Sequence, residues 1–538
     1  MILDSASASR QLRWATALLL VAAFVLVVFT GIALAGDPTG ATTGTGADVV
    51  EKARLDQSTF ETVVNELGHQ KIAINFVWVL VAGALVLFMQ AGFAMVETGF
   101  TRSKNAAHVV MTNFVIFAIG MVGFWTIGFG LMFGGLSGVT ALGGTAPLDG
   151  LFSIGDWGLF GTKGFLLSGD TYDVGVFALF FFQLVFMDTA ATIPTGAMAE
   201  RWKFSSFVVY GFFISMLLYP IYGNWVWGGG WLAGLGTNLG LGHGAVDFAG
   251  SGVVHAVGGL TALAGAAVLG ARIGKFSKDG KPNAMPGHNI PIALLGTFIL
   301  IFGWFGFNAG STLSGNDLRI SVIVVNTMLA GSVGSLVAMA IMWRRFGKPD
   351  PSMTANGMLA GLVAITAPCA FVPAWGAAAI GAVAGYLVVA AVFFIERRLK
   401  IDDPVGAIAV HGACGLWGVL AVGIFADGTY GEGWNLVQGP VKGLLYGDAG
   451  QLVAQAVDVG VLLLFVLPLA YAFFKVQNRV MGLRTPAEQE LVGLDLPEMG
   501  ALGYPDFLEA KGDVFLPPSP EPVGSALGAA AIRQEVRT

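Results

Sequence analysis

Two histidines stand in apolar surroundings in this chain, and each follows an aspartate at the same distance. Asp247, Gly250 and His255 recur as Asp403, Gly406 and His411, both in the pattern D-x-x-G-x4-H-x3-G-L at the start of a long apolar run. Histidine in hydrocarbon is costly and turns toward a cavity or a partner. Two histidines at matched depth can hydrogen-bond ring to ring in opposite tautomers and still offer N and N–H groups to a passing polar molecule. A metal centre needs three or four ligands. No third ligand accompanies either histidine, so no metal is expected. The aspartates have two compatible readings. As structural caps, Asp247 and Asp403 satisfy the orphan N–H groups of the helices they precede. Asp247 would also add negative potential for a cation arriving nearby.

Aromatic residues gather in three other stretches: Phe180 to Gln183 with Phe182, Trp225 to Trp231 with Trp227, and Trp304 to Ser311 with Phe307. Singly, each ring belongs to a membrane belt or a packed core. Together they could form a cage for a small cation, held by cation–π attraction with Ser311 as hydrogen-bond acceptor. No nucleophile–base set is legible, so an enzyme is not expected, nor is a cofactor.

These residues must be positioned by membrane helices. The 538 residues are 55% hydrophobic and only 12% charged, with mean hydropathy +0.74, where a soluble domain carries about 25% charged residues. The chain is an all-α polytopic membrane protein. Its 78 glycines fit close helix approach through small residues. Cys369 and Cys414 lie in apolar segments and form no disulfide framework. Residues 1–35 read as a cleaved secretory signal, with Arg10 and Arg13, an apolar run, then Ala33-Leu34-Ala35; the alternative, given the length of the run, is an extra N-terminal span. Residues 36–72 form an extracytoplasmic N-terminal segment, 73–474 the transmembrane domain and 475–538 a cytoplasmic tail, disordered after about 511. Eleven spans are expected, at 73–96, 105–133, 174–199, 204–222, 249–270, 290–309, 320–343, 354–370, 377–395, 405–425 and 452–474.

Fourteen Lys and Arg fall in the loops after spans 1, 3, 5, 7 and 9, against Lys163, Arg319 and Lys442 in the opposite loops. The positive-inside rule then sets the mature N-terminus outside and the C-terminus inside. Span 5 enters from outside and span 10 from inside. Spans 1–5 and 6–10 therefore form an inverted repeat. Each His lies eight positions beyond its Asp, about 12 Å of helix, so the two meet near the midplane of a bilayer core about 30 Å thick.

The chain resembles the ammonium transporters of the Amt/Mep/Rh superfamily. The stretches that carry the likeness are 90–99 with Arg102 to Asn105, Gly196 to Arg201, Trp227 to Gly230, Asp247 to Gly250 with His255, Gly303 to Ser311, and Asp402 to Pro404 with His411 to Gly415. They span roughly 73–505 in the family's order, and Trp227 favours the Amt branch. The resemblance implies an outer ammonium site of Phe182, Trp227 and Ser311 with Asp247 near it. It implies a stacked gate of Phe182 and Phe307, and a pore lined by His255, His411 and Trp304. It implies a homotrimer in the plasma (inner) membrane among lipid, serving nitrogen uptake, with a PII-type signal protein as partner at the cytoplasmic face. No nucleic acid partner is expected. At 497–505 the tail departs from the family's regulatory pattern. The competing function is an ammonium sensor that signals through the tail. Glu97 reads as an interfacial ion pair with Arg102 and Lys104. Asp188, in span 3, faces Thr189 and Thr192 in the bundle interior or carries a proton. His69, His108, His243 and His288 receive no role.

Overall fold

The computed structural model describes residues 57–505. The expected signal at 1–35, the rest of the N-terminal segment to 56, and the tail beyond 505 with its expected disorder lie outside them. The first helix, α1, runs Gln57–Phe100. It continues well before position 73, so the segment expected to precede span 1 is partly an extension of that span. Among the described residues nine more helices are long and apolar enough to cross a membrane: α2 (Ser103–Phe133), α3 (Val174–Met198), α4 (Phe204–Trp227), α5 (Ser251–Leu269), α6 (Ile290–Ala309), α7 (Ile320–Phe346), α9 (Ala374–Leu399), α10 (Ile408–Phe425) and α11 (Ala449–Met481).

The remaining expected span, 354–370, is realised differently. α8 (Pro351–Ile365) has 15 residues, about 22 Å of rise, short of a bilayer core. The chain then turns through Thr366 to Phe371, and Thr366, Ala367, Cys369 and Ala370 are fully buried. Irregular backbone at membrane depth is tolerated when protein covers it. Here Ser251 Oγ donates to Val363 O at 2.7 Å and accepts the Ala367 N–H at 2.7 Å. Among the described residues, ten helices of spanning length and this short one stand where eleven spans were expected.

Helix starts follow from short polar side chains placed before apolar runs. Asp173, Asn289, Asp350 and Asp448 each accept the backbone N–H three residues on, at 2.9–3.1 Å. α3 and α5 are the most enclosed helices and form the centre of the bundle. An antiparallel hairpin, β1 (Leu151–Ile154) and β2 (Trp157–Gly161), lies between α2 and α3. It holds the end of α4 through Trp225 Nε1 to Leu159 O at 2.9 Å.

α5 and α10 cross in opposite directions. The start of each lies against the later part of the other: a Cβ on Gly418 would stand 2.4 Å from Ser251 Oγ, and one on Gly259 would stand 2.1 Å from Gly412 N. Only glycine permits that approach. Both helices open in a π-helical turn, Ser251–Ala256 and Ile408–Ala413, and each turn holds its histidine. The inverted relation inferred from the repeated motif is therefore present in the fold.

The loops after α1, α3, α5 and α9 meet at one end of the bundle. Glu200 accepts from Arg102, from Arg272 Nη1 at 2.6 Å and from Asn105 at 3.2 Å. Asp402 accepts from Arg272 Nε at 2.8 Å and Nη2 at 3.0 Å. Burial works against the Asp402 carboxylate, but Arg201 and Arg272 prevail and hold its carboxyl well below the usual carboxylate range. The chain after α11 docks on these loops. Arg484 Nε pairs with Glu490 at 2.9 Å, Glu490 accepts the Ile273 N–H at 2.7 Å, and Asp495 accepts the His108 N–H at 2.9 Å.

Candidate functional site

Asp247 is buried, and its carboxylate accepts four backbone N–H groups: Gly250 at 2.7 Å, Ser251 at 3.0 Å, Gly252 at 2.8 Å and Val253 at 2.9 Å. This fixes the first turn of α5 and, with it, the depth of His255. Asp403 does the same for α10, accepting from Gly406 at 3.0 Å and Ile408 at 2.7 Å. The Asp247 carbonyl accepts the Trp227 Nε1–H at 2.6 Å, so the residue that starts α5 also aims the indole at the end of α4.

His255 Nδ1 and His411 Nδ1 stand 3.1 Å apart, and the two rings lie 5.2 Å apart at 23°. One ring must donate and the other accept. His255 also stacks on Trp304 at 5.4 Å and on Phe307 at 5.4 Å, and its Nε2 has no protein hydrogen-bond partner among the described residues. Trp304 is held by Nε1 donating to Thr366 Oγ1 at 3.0 Å, within the turn after α8. The short eighth helix thus has a use: its irregular end orients a ring beside the histidine.

From the pair, rings continue in both directions. On one side Phe307 meets Phe186 at 4.2 Å, and Phe186 meets Trp227 at 6.2 Å. On the other, His411 meets Phe93 at 6.1 Å. Phe186 is the residue missed in the sequence. The pairing of Phe182 with Phe307 is corrected: Phe182 lies one turn earlier on α3, against Phe186 at 4.7 Å, and 3.0 Å from where a Gly310 Cβ would stand. Residues four apart share a helix face, so sequence spacing alone does not decide which ring reaches Phe307. Ser311 Oγ donates to Phe307 O at 2.8 Å, beyond the same end of α6.

Glu97 is also corrected. It pairs with neither Arg102 nor Lys104. It is 3% exposed and accepts from Asn113 Nδ2 at 2.7 Å and from Thr195 Oγ1 at 2.8 Å. Arg102 bonds Glu200, distant in sequence, and Lys104 donates to the Glu490 carbonyl at 2.8 Å. Asp188 lies buried in α3 with Oδ1 unpartnered. Thr189 instead bonds its own helix at Val185 O, 2.9 Å away, and Thr192 bonds Asn113 at 3.0 Å. Among the described residues no group of three His, Cys, Asp or Glu is arranged to hold a metal ion.

The family described as the Ammonium Transporter Family matches residues 77–504. The chain is 48% identical over 464 residues to "Ammonium transporter Amt2" of Archaeoglobus fulgidus, covering 86% of this chain and 94% of that protein. It is 37% identical over 454 residues to "Ammonium transporter Amt1" of Haloferax mediterranei, covering 82% of this chain and 81% of that protein. Among solved structures, one described as "Sensor Amt Protein" superposes with TM-score 0.70 at 38% identity, over 80% of this chain and 99% of that one. Mep2 of Candida albicans superposes with TM-score 0.65 at 27% identity, over 84% and 94%. These matches run through every element that builds the ring file and the histidine pair, and the chain belongs to the ammonium transporter family of the Amt/Mep/Rh superfamily.

Proposed function

We infer that this membrane protein moves ammonium from the Trp227 end of the ring file to the His411 end, removing its proton at the first and passing ammonia along the histidine pair. One observation carries the reading: Trp227, Phe186, Phe307, His255, His411 and Phe93 succeed one another at 4.2–6.2 Å. Ammonium and potassium carry the same charge and are similar in size. Discrimination must therefore use the N–H donors and the acid proton that potassium lacks. Trp227 and Phe186 offer π faces to a cation, with Ser311 as acceptor and Phe182 beside them. Asp247 acts here through geometry, since its carboxylate is engaged by the turn it caps. Beyond Phe186 and Phe307 the path is apolar, and an intact ion there is heavily disfavoured. Ammonia is not. The histidine pair can hydrogen-bond it and relay the proton separately.

The same proposal sets the Trp227 end outside, because the Lys- and Arg-rich loops meet at the opposite end. A second reading is sensing. It is favoured by the 38% identity to the structure described as "Sensor Amt Protein", together with the docked segment after α11.

The test is current on a solid-supported membrane from purified protein in liposomes, after an ammonium pulse with a matched potassium control. Current for ammonium alone supports conduction with proton relay. Internal alkalinisation without current supports neutral ammonia passage. Ammonium binding with neither signal supports the sensor. Replacing both histidines, His255→Leu with His411→Leu, should abolish the flux or its selectivity over potassium. Unchanged values of both would refute the pore reading.

A further inference from the structure

A small cavity opens on His411 and is also lined by Phe93, Val96, Glu97, Asn356 and Val405. Its one acidic lining residue is Glu97, near the end of α1. That carboxyl receives neutral donors only, Asn113 Nδ2 at 2.7 Å and Thr195 Oγ1 at 2.8 and 2.9 Å. Among the described residues no Lys, Arg or His forms an ion pair with it. A buried carboxyl without a counter-ion is expensive as an anion. Two things relieve it: a proton, or a small cation in the space beside it. A molecule that alternates between ammonia and ammonium offers both in turn.

We propose that Glu97 is the inner proton-exchange group of the pore, meeting the conducted molecule after it leaves His411. Ammonia arriving from His411 takes the proton of the Glu97 carboxyl. The O–H bond breaks, an N–H bond forms, and ammonium stands beside the carboxylate. Ammonium leaves into the solution on that face, and the carboxylate regains a proton from hydronium or a buffer acid there. Asn113 keeps the carboxyl aimed by donating to it in either state, and the Thr195 hydroxyl donates to the carboxylate or, turned to Thr192 O, accepts from the carboxyl. The titratable groups facing it are His411 across the cavity and Asp403, whose charge acts on it from before α10. Asn113 from α2, Thr195 from α3 and Asn356 from α8 are uncharged. The inference rests on the conduction reading above.

The experiment is the ammonium-pulse current of the full chain in liposomes across a series of internal pH values, for wild type, Glu97→Gln and Glu97→Asp, with potassium as control. Gln keeps the shape and an acceptor but exchanges no proton. Asp exchanges protons from a shorter stem. The expected result is a loss of about tenfold or more in Glu97→Gln current with ammonium-over-potassium selectivity intact. Glu97→Asp should recover current with a displaced pH profile. Wild-type current and pH profile in Glu97→Gln would overturn the proposal. So would equal loss in both variants with an unmoved profile, which marks a packing role. A wild type with neither current nor internal alkalinisation would instead refute conduction itself, and this inference with it; alkalinisation without current moves the same comparison of variants to the alkalinisation rate.

Discussion

His255 and His411 occupy equivalent places on antiparallel helices, yet His255 packs against the adjoining rings of Trp304 and Phe307 while His411 opens on a cavity beside Phe93 and Glu97. Their aspartates differ in the same sense. Asp247 is buried under four N–H groups and anchors Trp227 through its carbonyl. Asp403 is half-buried and holds fewer. The repeat supplies two histidines at one depth. The divergence around them sets the two sides apart, with a closed aromatic approach on one side and, on the other, a mostly apolar chamber that holds one carboxyl.

The comparison breaks most visibly at the caps. Asp247→Ala strands four buried donors, each costing about 1–3 kcal/mol. It should lower the thermal unfolding midpoint in detergent far more than Asp403→Ala does. Equal midpoints would mean that the two starts are equivalent after all. Next come the rings on the approach. Phe186→Leu should reduce ammonium-over-potassium selectivity by about tenfold, the scale of a lost aromatic pair. Phe182→Leu should have a smaller effect, and the reverse order would return the gate to Phe182.

Much of this was legible in the residues. The matched D-x-x-G-x4-H spacing located both helix starts and the histidine pair, because a cap and a helical rise convert directly into depth, and the Lys and Arg count in alternate loops supplied the antiparallel crossing. Other features were not legible. Phe182 and Phe186 share a face, so their choice depends on where α6 stops against α3. Glu97 was read with its nearest charges, but Arg102 is captured by Glu200, brought close only by the fold. Hydropathy carries the span through 354–370, but Pro368, which lacks an N–H and disfavours helix just before it, marks its early end, and the bonds to Ser251 and Trp304 hold the turn that follows.

The smallest expected effect concerns the end of the bundle opposite Trp227. Asp402 ionises more readily in the folded protein than in the unfolded chain, since Arg201 and Arg272 overcome its burial. The unfolded state therefore binds the extra proton as pH falls. The stability this group contributes is complete above its unfolded value of about 4 and is lost progressively below it. Thermal midpoints measured from pH 6 downward should fall less steeply in Asp402→Asn than in wild type. Parallel curves would show that the network makes no pH-dependent contribution.

Under the proposed conduction, the contact between the two Nδ1 atoms gives the pathway a memory of one bit. Because one ring donates and the other accepts, the two remaining ring nitrogens are always unlike, one bearing hydrogen and one bare. A proton handed through the pair reverses that polarity and leaves the rings set for travel the other way. Before a second proton can follow in the same direction, the pair must be reset. Repeated one-way relay therefore has a clock, set by how fast two packed imidazoles can exchange their hydrogens.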